Sequence, residues 1–130
     1  METYLLPTLS VQNGAAAVEF YVKAFDATIV SSMADPDGNV VAELAIGAAR
    51  IIVADESPTH GNISPLGQAG VSVRMGLMVA NPDEVAANAI AAGAKETYPV
   101  ADQHYGYRLG HIVDPFGHHW EIGRKLDEHI

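Results

Sequence analysis

The chain has 130 residues, no cysteine and a formal net charge of −9, from 16 Asp and Glu against 7 Lys and Arg. That length makes one domain with room for a real core, the missing thiols exclude disulfide and thiolate chemistry, and scarce cations argue against a nucleic-acid partner. No apolar run reaches the ~20 residues of a membrane helix, and Met-Glu-Thr-Tyr lacks the basic and apolar parts of a signal peptide. The expectation is therefore a cytoplasmic protein with no membrane partner.

The elements follow in chain order. An extended run spans Tyr4 to Val11. Asn13 is placed to cap a helix reaching Phe25, with Val18, Tyr21, Val22 and Phe25 on one face. Three strand-like runs come next: Ala27 to Met33, Asn39 to Ile46 and Ala49 to Asp55, with turns at Asp35-Pro-Asp-Gly38 and Gly47. Residues 56–70 are rich in Gly, Pro and Ser and read as a linker. The second half opens with Val71 to Val79. Asn81, Pro82 and Glu84 then have the spacing of a capped helix start, and that helix stops at Gly93. Strands at Glu96 to Val100, Tyr107 to Val113 and His118 to Arg124 complete it. The order is βαβββ twice, in residues 1–55 and 71–124, within a single domain of 1–130. The duplication lies in pattern rather than in residue identity.

The densest chemistry lies at Asp114-Pro115-Phe116-Gly117, turn residues between two apolar runs. A two-residue loop at Pro115-Phe116 sets Gly110 opposite Glu121 and Ile112 opposite His119. One face then carries Arg108, Gly110, Ile112, His119 and Glu121. The other carries Leu109, His111, Val113, His118, Trp120 and Ile122, and packs under the helix. A one-residue slip reverses every assignment.

Several motifs give the chain a resemblance to a known family. They are Glu19-Phe20-Tyr21-x-x-Ala24-Phe25-x-Ala27, Ala91-Ala92-Gly93-Ala94 and Asp114-Pro-Phe-Gly-His-x-Trp120. With the repeated βαβββ pattern, these resemble the vicinal-oxygen-chelate superfamily of glyoxalase I, bleomycin-resistance proteins, fosfomycin-resistance enzymes and extradiol dioxygenases. Tyr105-Gly106-x-Arg108-x-Gly110 looks most like its PhnB-like branch. The resemblance implies an α+β fold in which two paired βαβββ modules form a cupped sheet around a cavity, often as a homodimer. Metal-dependent members place four ligands there. Carried over, these fall near Leu6, near Val53, at Arg74 and at Glu121. Glu121 alone is a ligand type, so the expectation is no metal cofactor, with a divalent metal as the alternative. Asp26 departs from the glycine usual after the first helix.

His119 and Glu121 lie two apart and share a strand face. A reduced metal site on this pair is weighed against an ion pair of Glu121 with Arg108 and a solvated His119, and the ion pair is favoured. Arg74 has two equal readings, a pair with Glu43 or an anion site on the cavity floor. Tyr105 sits in a loop able to close over the cavity. Trp120 reads as core first and stacking platform second. Glu121, His119, Arg108, Arg74, Tyr105, Glu43 and Trp120 are the candidate ligand-binding residues.

By resemblance the first functional expectation is a small-molecule binder that sequesters an antibiotic or metabolite in the inter-module cavity. The alternatives are a lyase, isomerase or epimerase acting on a small oxygenated substrate, and a dimeric interaction module with a vestigial cavity.

Overall fold

The computed structural model describes residues 1–127. The start of the first helix, α1 (Gly14–Phe25), is fixed by Asn13, whose side chain accepts from the Ala16 amide at 3.1 Å. Its end is set by Asp26, left-handed at φ 56, a conformation that Asp tolerates better than most residues. That is how the chain dispenses with a glycine there. The second helix, α2 (Pro82–Ala91), begins as the sequence indicates: Asn81 accepts from the Glu84 amide at 3.3 Å and Pro82 occupies the first turn.

Among the described residues, eight strands form two four-stranded sheets. The first sheet has the order β1-β4-β3-β2, from β1 (Thr8–Val11), β2 (Thr28–Ala34), β3 (Val40–Ile46) and β4 (Ala49–Asp55). The second has the order β5-β8-β7-β6, from β5 (Met75–Met78), β6 (Lys95–Asp102), β7 (Tyr107–Val113) and β8 (His119–Lys125). In each sheet the first strand pairs parallel with the last, Leu9 beside Val53 and Leu77 beside Ile122. The two halves are thus one α+β plan drawn twice. Two expected strands are shorter than their apolar runs. Residues 1–7 precede β1 as an arm outside any strand, and β5 begins only at Met75.

The register of the last hairpin corrects the sequence reading. The loop has three residues, not two: the Asp114 amide donates to the His118 carbonyl at 2.9 Å, and Gly117 adopts φ 92. A three-residue loop with a left-handed glycine adds one position to the second strand. Every pairing therefore moves by one, so that Ile112 faces Trp120, His111 faces Glu121 and Gly110 faces Ile122. Ile112, Trp120 and Ile122 point to the helices and are buried, with Gly110 and Arg108 on their side. Leu109, His111, Val113, His119 and Glu121 share the opposite, open face. Gly110 makes no space for Glu121. It lies under β6, where a Cβ would stand 2.7 Å from the Val100 nitrogen.

The core sits where α1 and α2 meet the inner faces of both sheets. Phe25 lies against Trp120 at 4.7 Å between ring centroids, and Tyr21 against Trp120 at 5.6 Å. At its centre is a buried carboxylate. Asp114 Oδ1 accepts from the amides of Phe116 and His118 at 2.9 and 3.0 Å, while Oδ2 accepts from the Tyr21 hydroxyl and from Trp120 Nε1 at 2.9 Å. His118 adds a second tie between the halves by donating Nε2–H to the Ser10 carbonyl at 2.8 Å. The linker docks onto the same turn: the Ser64 hydroxyl donates to the Phe116 carbonyl at 3.3 Å.

Asp114→Ala strands two buried donors and is expected to cost about 3 kcal/mol, against about 1–2 for Tyr21→Phe, in urea unfolding. Burial, the Asp114 charge and the hydrogen bond to it push the Tyr21 phenol well above its ordinary 10.0. A raised folded value means that this stabilisation is complete below pH ~10 and fades as pH rises further. Tyr21→Phe should remove that alkaline dependence. Asp114→Ala unfolding at the wild-type urea midpoint would refute the hub.

Candidate functional site

The open face of the second sheet carries a row of residues across its four strands. Tyr98 on β6 pairs with His111 on β7, His111 with Glu121 on β8, and Glu121 with Gly76 on β5. Alternation places Met78 and Leu109 on the same face beyond the row, and His119 before it. Arg74, just ahead of β5, donates Nε–H to Glu121 Oε1 at 3.2 Å. This pair settles Arg74 against the Glu43 reading. Glu43 belongs to the first sheet and accepts from Arg50 at 2.8 Å.

Arg108 also departs from its expected partner. With the corrected register it leaves the Glu121 face, and its guanidinium is held by Asp83 at 2.9 and 2.7 Å and by Asp102 at 3.0 Å. This clamp joins the start of α2 to β6 and holds the Asp83 carboxyl below the usual carboxylate range. Trp120, buried at 2% exposure, lies on the helix side with its Nε1 on Asp114. Tyr105 is exposed and stands edge-on to His104 at 5.2 Å.

Glu121, Arg74 and Tyr105 therefore come together, and with Gly76, Met78, Tyr107 and Leu109 they line a recess of about 450 Å³. Every lining residue belongs to the second half, so within one chain the acid does not look into a hollow shared by both repeats. A larger recess of about 660 Å³ does lie between the halves. It is bordered by the N-terminal arm, residues of the segment 46–51, Met75, Gly76, Leu77 and Trp120; it shares Gly76 with the smaller recess, and Glu121 is not in its lining. The smaller recess holds the candidate residues Glu121, Arg74 and Tyr105, and its carboxylate and guanidinium meet each other through one hydrogen bond.

His119 Nδ1 and His111 Nε2 are 3.1 Å apart, a ring-to-ring hydrogen bond beside Glu121. The sequence reading had His111 among core side chains. It is nearly as buried as that, at 8% exposure, but on the open face with His119 and the Tyr98 ring, 5.2 Å away. Burial and the neighbouring His119 push its imidazole below the ordinary value. Burial and the Glu121 carboxylate push the Tyr98 phenol up. His111, Tyr98 and Gly76 were missed as site residues because the shifted register hid the cross-strand row.

The donor set does not fit the four-ligand metal site of the family. Leu6 and Arg74 cannot coordinate, and Val53 is fully buried on the helix side. The repeat equates Glu121 with Ile52 rather than Val53, since Thr8 faces Ile52 as Gly76 faces Glu121. Ile52 is no ligand either. Among the described residues no group of three or more His, Asp or Glu side chains could hold an ion.

Residues 4–122 match the model of the Glyoxalase/Bleomycin resistance protein/Dioxygenase superfamily. The chain is 36% identical to uncharacterized proteins of Mycobacterium bovis and Mycobacterium tuberculosis, over 98% of its own length and 87% and 78% of theirs. Its backbone is similar to that of the fosfomycin resistance protein FosX of Listeria monocytogenes: TM-score 0.75, 16% identity, 97% of this chain and 95% of that one. It is also similar to TioX of a Micromonospora species, at TM-score 0.71 and 24% identity over 96% of this chain and 100% of that one. The chain belongs to the glyoxalase/bleomycin resistance protein/dioxygenase superfamily.

A depressed imidazole value favours the neutral ring, so its contribution to stability holds above the unfolded value, ordinarily about 6.5, and is lost as pH falls through the folded value. In an NMR titration His111 should titrate below 6.5. His119→Gln should move it up, because the neighbouring His119 ring is one of the causes that lower it. A midpoint unchanged by His119→Gln would show that the two rings do not interact.

Proposed function

We propose that this protein is a small-molecule binder of the glyoxalase/bleomycin-resistance type, which holds an antibiotic or metabolite by sequestration. The observation that carries this reading is Glu121. Its carboxylate stands at the centre of an open face, a quarter exposed, beside a bare Gly76 and two tyrosines. A carboxylate in a half-apolar recess is costly unless something repeatedly pairs with it. The absent ligand set weighs against the family's metal chemistry, and a fosfomycin-resistance protein among the similar structures is consistent with a resistance role. Within the superfamily we place the chain in the PhnB-like branch, on Tyr105-Gly106-x-Arg108-x-Gly110.

The protein acts as a homodimer in this reading. Ile29, Val30, Met33 and Val41 of the first sheet are exposed, as are Tyr4 and Leu5 of the arm. A second copy is the occupant that covers them and encloses the recess. Sedimentation should give about twice 13.8 kDa. A monomer at micromolar concentration would refute the assembly without touching the binding claim.

A proton-transfer activity on the bound molecule is the second reading, favoured by the His111–His119 pair next to Glu121. Deuterium uptake into the ligand in D₂O, lost in His119→Gln, would promote it above sequestration.

A thermal-shift screen against antibiotics, 2-oxo acids and thiol adducts is expected to yield stabilising compounds whose affinity falls about tenfold or more in Glu121→Gln. Binding untouched by that substitution would move the site elsewhere. No stabilisation by any compound would leave a dimeric interaction module as the better account.

A further inference from the structure

The ion pair at the centre of the recess is unusually open. Arg74 meets Glu121 through Nε alone, at 3.2 Å. A guanidinium that serves a carboxylate fully does so with two parallel bonds, and Arg108 with Asp83 shows that geometry in this chain. Among the described residues, neither Nη of Arg74 makes a hydrogen bond and none reaches Glu121 Oε2. The Arg74 side chain is 62% exposed, so the contact is weak and readily rearranged. A guanidinium edge with free donors and a carboxylate oxygen with free lone pairs thus open onto one recess. Gly76, two residues beyond Arg74 and paired with Glu121, has no side chain, and a Cβ there would meet nothing closer than the end of Met78 at 3.9 Å.

A purely cationic ligand on Glu121 Oε2 would leave the Arg74 Nη donors unfilled and add positive charge to the recess. A purely anionic ligand on the Nη edge would leave Oε2 unfilled and add negative charge. A ligand bearing both charges satisfies both groups and keeps the recess neutral. The apolar wall of Tyr107, Leu109 and Met78 and the exposed Tyr105 ring then suit a hydrophobic or aromatic body.

We infer that the ligand of this recess is a small zwitterion, an amine and an acid group on one apolar body, with the amine on Glu121 Oε2 and the acid on the Arg74 Nη edge. This rests on the binding reading above and specifies its ligand class.

The test compares three probes of similar shape at pH 7: L-phenylalanine, 2-phenylethylamine and 3-phenylpropionate. Binding is read from the amide signals of Gly76 and Leu109 and from Arg74 Nε–H in ¹⁵N-resolved NMR. Phenylalanine is expected to bind about tenfold or more tightly than either singly charged probe. Glu121→Gln should reduce it to the level of the acid, and Arg74→Gln to the level of the amine. The inference is overturned if either singly charged probe matches phenylalanine, if neither substitution erodes its advantage, or if phenylalanine leaves these signals unmoved near saturation. A neutral or singly charged compound from the thermal-shift screen that binds at Gly76 would overturn the zwitterion while leaving the binding function intact. If no compound from screen or probe set perturbs this face, both fall.

Discussion

The structure depends on one buried carboxylate. Asp114 closes its own turn with two backbone amides, and the same group reaches Tyr21 on α1 and Trp120 on β8. A carboxylate taken out of water is tolerable only when its lone pairs are filled, and here each oxygen receives two donors. Those donors come from both halves of the chain. Asp114 therefore joins the two modules, fixes the rotamer of the largest core side chain and sets the turn that determines the final register. Asp55 does a related job within the first half, accepting from the Gly14 and Val40 amides at 2.8 and 2.6 Å.

That register decides the chemistry of the open face. With a three-residue loop, Glu121 faces His111 rather than Gly110, and Arg108 turns to the helix side, where it clamps Asp83 and Asp102. The repeat then explains why the two halves differ in character. They share a fold because Leu9 and Val53 bury as Leu77 and Ile122 do. They differ at the position that matters, since Ile52 stands where the second half has Glu121. Duplication preserved the core face and left the open face free to diverge, because packing constrains the first far more tightly than the second.

An ion pair held by one nitrogen is a poor structural investment. Exposed pairs contribute little to stability, and both Arg74 and Glu121 retain groups that point outward. The neighbouring imidazole pair is better satisfied and more buried. The face thus combines one rearrangeable polar element with one settled polar element, framed by Tyr98 at one edge and Tyr105 and Tyr107 at another.

Much of the fold was legible in the residues themselves. Asn13, Asn81 with Pro82, and Gly93 mark the helix ends through local backbone chemistry, and alternation with flanking turns gives eight strands in the right order. Local signals suffice there because caps and turns act over three or four residues. The strand limits were less legible: Tyr4 to Leu6 look like strand, yet the neighbouring strand is engaged only from the Pro7 carbonyl onward. Of the candidate site, Glu121, His119, Arg74 and Tyr105 were identifiable as chemistry-bearing residues, but their partners were not. Pairing Arg74 with Glu121 spans 47 positions, and which neighbour a side chain meets at that distance depends on strand order. The sequence alone determined the elements, their repetition and the presence of a single acid, Glu121, in the run from His118 to Arg124. Only the tertiary structure decided which face that acid occupies, because a single left-handed glycine at position 117 shifts the whole hairpin by one residue and a strand's side chains alternate with a period of two.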